Sequence, residues 1–179
     1  MSMHGYFVQL SPEQLEALIA DPSEVSGFIF SQDDQYEIDQ SWQGIHFLLT
    51  GDAWGGEVPL ANVVLGGTEI GDDVGYGSAC YLTADEVSAA ATALKDITPD
   101  VLRSRYVATE LSDNGIYPEI WDRDGAVEFL TSWYESLRDY YMDAAIPGLS
   151  RPRVRLVVRT LYDLLGQMPT RLRARRCAS

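Results

Sequence analysis

Three short stretches fix where helices must begin: Ser11-Pro12-Glu13-Gln14, Thr83-Ala84-Asp85-Glu86 and Thr98-Pro99-Asp100. A Ser or Thr at each start offers its hydroxyl to an orphan backbone N–H of the first turn, and Gln14 and Glu86 reach back to close capping boxes. Pro12 and Pro99 occupy the first helical position, where a missing N–H costs nothing. Leu15, Leu18 and Ile19 then supply an apolar stripe, and Asp21-Pro22 ends the first helix. The second helix is expected to run to about Leu94 and the third over Val101 to Tyr106.

Between these starts the pattern changes. GYFVQL (5–10) and SACYL (78–82) read as strands, rich in aromatic and β-branched residues, and FIF (28–30) as a further short one. WQGIHFLLTG (42–51) reads as a helix led by Asp39 or Ser41 and closed by Gly51. TEIGDDVGYG (68–77) reads as a glycine-punctuated loop, and 107–121 as irregular or briefly helical. A long amphipathic helix is expected over about 125–145, capped by Asp122 or Asp124, with Val127, Leu130, Tyr134, Leu137 and Tyr141 inward and Pro147-Gly148 ending it. Strands and helices intermingle without a βαβ rhythm. The fold class expected is α+β: one compact, helix-rich domain with a small mixed or antiparallel sheet.

Charge divides the chain. Residues 1–149 carry 26 acidic and 5 basic residues, whereas residues 150–179 carry eight arginines against Asp163 alone. The expected organisation is therefore a domain over 1–149 and an arginine-rich tail over 150–179. The acidic body repels nucleic-acid phosphates and anionic membranes and favours a basic protein partner. Val154, Val157, Val158, Leu161, Leu164, Leu165 and Met168 give the tail a helical period, so it reads as an amphipathic helix. It also reads as sequence in an altered reading frame. Residues 1–149 are expected to fold without residues 150–179 as an essential core element. No apolar run reaches a membrane span. No signal peptide is read at the N-terminus, and two cysteines form no disulfide framework, which together point to the cytoplasm. The oligomeric state is left open.

Several of these segments occur together in one known order. The GYF strand with SPEQLEAL, the W-x-x-I-H-F-L-L-T-G helix, the LGGTEIGDDVGYG loop, the YLTADEV junction and the YPEIWD segment resemble the YfbM-like family of small bacterial proteins of unknown function. The resemblance covers about residues 1–145. It implies a compact α+β domain in a bacterial cytoplasm, assigns no catalytic residue, and offers an alternative for the tail, in which Arg153-Val154-Arg155-Leu156 begins the family's last strand.

His46 is the best single catalytic candidate, as a general base near neutral pH, if carboxylates such as Glu69, Asp72, Asp73 or Glu119 converge on it. Its simpler reading is a packed histidine one turn after Trp42. The loop with Glu69, Asp72 and Asp73 lacks calcium-loop spacing, and Gly75-x-Gly77 leads to Cys80 rather than a third glycine, so neither cation nor dinucleotide binding is indicated. Cys80 reads as buried and inert. No Cys/His spacing supports a metal, and no cofactor motif occurs. YPEIWD combines Tyr117, Glu119 and Trp121 in a pattern suited to recognising a basic surface, with Trp42, Glu69, Asp72 and Asp73 as further binding candidates. Two functions stand side by side. One is a small acidic protein-binding module of inhibitor or immunity type; the other is a hydrolase or transferase built on His46.

Overall fold

The computed structural model describes residues 2–32, 35–73, 77–144 and 154–162. Strand β1, Ser2–Leu10, leads into helix α1, Pro12–Ala20, whose Ser11–Gln14 capping box forms in full. Leu15 and Leu18 are buried, but Ile19 remains 47% exposed, because the first helix presents a narrower face than its sequence offers. The FIF segment is not a strand. Asp21 accepts from Ser23 N and starts a 3-10 turn that runs directly into α2, Val25–Ser31. Val25 and Ile29, four residues apart, fill one face of that helix, so helical spacing prevails over local strand propensity.

Strand β2, Tyr36–Glu37, and a turn at Asp39–Ser41 precede α3, Trp42–Thr50. Ser41 does not cap α3; its hydroxyl donates to Ile38 O. Gly51, at φ 77°, closes the helix as its sequence requires. The apolar PLANVVLGG segment contributes only a 3-10 turn at Ala61–Val63.

Thr68–Asp73 forms strand β3 rather than a loop, pairing with β4, Ser78–Leu82. Gly71 explains why it resembles a loop. It sits at φ 76°, and a Cβ there would stand 2.9 Å from Val25 Cβ, so a glycine bulge lets the strand pass close to α2. The rest of the TEIGDDVGYG segment, including Gly75 and Tyr76, lies partly outside the described residues.

Helices α4, Ala84–Leu94, and α5, Pro99–Ser104, start on the Thr83 and Thr98 caps. They are followed by α6, Ala108–Asp113, and the long α7, Ala126–Ala144. Leu130, Tyr134, Leu137 and Tyr141 are all buried along α7; Val127 is only half-buried. Strand β5, Val154–Tyr162, completes an antiparallel sheet of order β2-β1-β5-β4-β3. It pairs along its whole length with β1, from Leu10↔Val154 to Ser2↔Tyr162, and its first half pairs with β4. The helical reading of this segment is thereby corrected, and the strand reading is the one realised. Helical and strand periods overlap over so short an apolar run, and two open strand edges decide between them. Leu164, Leu165, Met168 and Cys177, with Pro147 and Gly148, lie outside the described residues.

Both faces of the sheet are covered. Phe7 points to a large core with Ile38, Trp42, Ile45, Leu49, Leu130, Tyr134 and Leu137, while Val8 and Leu10 point to a second core with Leu15, Leu18, Val25, Ile29 and Ile70. Strand alternation thus places α1 and α2 on one side and α3 to α7 on the other. Among the described residues no helix is long and apolar enough to cross a membrane.

Candidate binding site

Helix α3 is enclosed over Trp42 to Leu49. Two of its buried polar side chains, Gln43 and His46, point to the loop that follows it. His46 has no exposed surface, and its Nε2 lies 2.8 Å from Gly55 O. A carbonyl only accepts, so Nε2 carries the proton and donates. Gln43, 1% exposed, donates its amide to Ala53 O at 3.1 Å. From the solvent side the Asp52 carboxylate accepts from Trp54 N at 2.9 Å and Gly55 N at 2.7 Å. Those two backbone N–H groups, Trp54 first, hold the Asp52 carboxyl below its ordinary value.

Residues 53, 54 and 55 are therefore all fixed by hydrogen bonds, and what they present is Trp54. Its side chain is 60% exposed, and its inner contact is the buried Trp42 ring at 6.0 Å. Trp42 itself is 2% exposed, and its Nε1–H has no hydrogen-bond partner among the described residues. The other oxygen-bearing end of Gln43 accepts from Tyr117 N at 2.8 Å, which ties the YPEIWD segment to the Trp54 loop. The Tyr117 ring stacks on Trp42 at 6.2 Å, and its hydroxyl donates to Gln40 Oε1 and accepts from Met3 N. Asp52, Glu57, Val58 and Glu119 are exposed on the same two segments, Val58 at 68%.

A family model for the domain of unknown function DUF1877 matches residues 1–150. The chain belongs to the DUF1877 family. Among solved structures, this DUF1877 chain is similar to YfbM from Escherichia coli, a protein of unknown function. The TM-score is 0.70 at 22% identity, covering 88% of this chain and 99% of that one. At that identity the likeness speaks for the fold. No curated protein matches the sequence.

Within the DUF1877 domain the sequence candidates part company. Trp42 and Tyr117 come together, with Glu119 exposed beside Tyr117. Trp121 is 2% exposed, its indole N–H donates to Ile116 O at 2.6 Å, and it packs against Gly44, so it is a core anchor and not a surface residue. Glu69, Asp72 and Asp73 stand exposed on β3, at the opposite sheet edge from β2, and do not join the His46 region. Cys80 is buried, as expected. Sequence reasoning passed over Trp54 and Gln43. Both left a signal: a tryptophan among turn-forming Gly and Asp residues, and an amide inside an otherwise apolar helix.

Proposed function

We propose that this DUF1877 protein is a small acidic binding module for a basic protein, of inhibitor or immunity type, with Trp54 as its anchor. The exposure of Trp54 on a loop whose backbone is fixed on both sides carries the reading. Tryptophan is enriched among residues that dominate interface energy, and a fixed anchor loses little entropy on binding. The flat indole face suits an arginine or lysine side chain through cation–π attraction. Asp52, Glu57 and Glu119 add carboxylates at the rim, on a body with 26 acidic and 5 basic residues in 1–149, which steers a basic partner and speeds association. The enzyme reading is weakened by the enclosure of His46, whose Nε2 is spent on Gly55 O and which no substrate reaches from solvent. Cysteine content favours a cytoplasmic partner.

The test is a paired capture. Wild-type and Trp54→Ala proteins serve as baits at low and high salt. A basic partner held by the wild type, weakened by salt and lost with Trp54→Ala supports the module. Equal retention by both baits removes Trp54 as the anchor.

A further inference from the structure

The outer edge of the sheet carries a second constellation, built on β1 and β2. Strand alternation puts His4 and Tyr6 of β1 on one face, and the Tyr6↔Glu37 pairing puts Glu37 of β2 beside them. Ile38 turns fully inward, and its N–H extends the ladder to Gly5 O at 2.9 Å. Asp39 then adopts a left-handed conformation, φ 50°, which Asp tolerates better than most residues and which starts the turn into α3. The outcome is a His-x-Tyr segment facing a Glu-x-Asp segment.

His4 Nδ1 lies 2.5 Å from Glu37 Oε1 and 3.4 Å from Asp39 Oδ1, and Tyr6 OH donates to the same Glu37 oxygen at 3.1 Å. All three ligand-type atoms fall within 4.8 Å of one another. One imidazole cannot neutralise two carboxylates, so the cluster keeps net negative charge even when His4 is protonated. A divalent cation balances that charge with one nitrogen and two oxygen ligands. At bond lengths of about 2.0–2.2 Å, neighbouring ligand atoms around tetrahedral zinc stand roughly 3.3 Å apart. The His4–Asp39 separation already matches this. Glu37, whose side chain is 41% exposed, has room to swing outward to it.

We propose that His4, Glu37 and Asp39 bind a first-row divalent cation such as Zn²⁺, with water completing its shell. Tyr6 serves as the outer partner that orients Glu37. The half-buried setting, with side-chain exposures of 19%, 41% and 32%, leaves the ion an entry path. The donor set separates this site from thiolate sites, and three protein ligands leave a coordination position open.

The full chain carries only two histidines, so the assay is direct. Zn²⁺ alone is titrated into the full-length protein in a Cys177→Ser background, by calorimetry and by ¹⁵N resonances of the imidazoles. The expected result is one equivalent bound, with the His4 ring resonances shifting and those of His46 staying in place. Asp39→Asn, which keeps the left-handed turn accessible, should weaken binding by about tenfold or more. His4→Ala should abolish it. Saturation without movement of the His4 resonances, no saturable binding at all, or unchanged affinity in a folded Asp39→Asn protein would each overturn the site.

Discussion

His46 on α3 donates its Nε2–H to Gly55 O across 2.8 Å, so the one imidazole in the core is a strut for the loop that displays Trp54. His46→Ala removes a fully buried ring and that bond together. The loss of stability should be about 2–4 kcal/mol. Chemical denaturation measures it, and hydrogen exchange at Trp54 N and Gly55 N should speed up in parallel. A loss below about 0.5 kcal/mol would mean that the ring holds nothing in place.

Gln43 joins two loops through one side chain, at Ala53 O and Tyr117 N. Gln43→Leu keeps most of the volume and leaves both groups without that partner, a cost of about 1–3 kcal/mol. Trp54→Ala should cost less, about 1 kcal/mol or below, since most of its side chain already faces water. Urea unfolding of the two variants side by side gives the order; the reverse order would place Trp54 in the fold instead of on a surface.

Gly44 marks where α3 meets α7. A Cβ there would lie 2.7 Å from Leu130 Cδ2 and 2.8 Å from Trp121 Cη2. Gly44→Ala should therefore destabilise by about 1–3 kcal/mol, although alanine is the better helix former. A stabilised Gly44→Ala protein in thermal melts would show that the two helices have space between them.

Two groups contribute at opposite ends of the pH profile. Asp52 has a lowered carboxyl pKa, so the stability it contributes is complete above its ordinary value of 3.8 and fades as pH falls below it. Burial pushes the Tyr134 phenol up to about 12, and its hydroxyl donates to Ile97 O at 2.6 Å. Its contribution is complete below pH 10 and is lost as pH rises towards 12. Melts across pH should show Asp52→Ala flattening the acid side and Tyr134→Phe the alkaline side. Curves parallel to wild type at both ends would exclude these assignments.

Strand β5 lies between β1 and β4, so deleting it leaves the β1–β2 and β3–β4 pairs with no pairing to each other. A chain ended at Gly148 should lack a cooperative melt by circular dichroism, contrary to what charge and composition alone lead one to expect. A cooperative transition in that truncated protein would make β5 an accessory strand.

The parts legible in sequence were those set by local chemistry. Ser11, Thr83 and Thr98 start helices through their own hydroxyls, and Trp42, Ile45, Leu130 and Tyr134 follow a helical period into the core. What escaped depends on distant neighbours. FIF becomes helical because Val25 and Ile29 meet a core that only the sheet creates, and Gly71 hides a strand because α2 passes close by. The candidate site is half visible in the sequence: Trp42, Tyr117 and Glu119 stand out by residue type, but the Gln43 bridge spans 74 residues, and no local pattern encodes it. The His4–Glu37 approach, 33 residues apart, is hidden for the same reason.

The place of β5 also bears on synthesis. A ribosome releases β1 first, yet the strand that β1 pairs with along its whole length is made after all four other strands and all seven helices described. Until it emerges, β1 and β4 each carry an unsatisfied edge next to apolar faces, the condition in which nascent chains aggregate or recruit chaperones. This protein should consequently fold only after β5 has emerged, and a copy stalled or terminated before it would be a substrate for quality control and not a partly working domain.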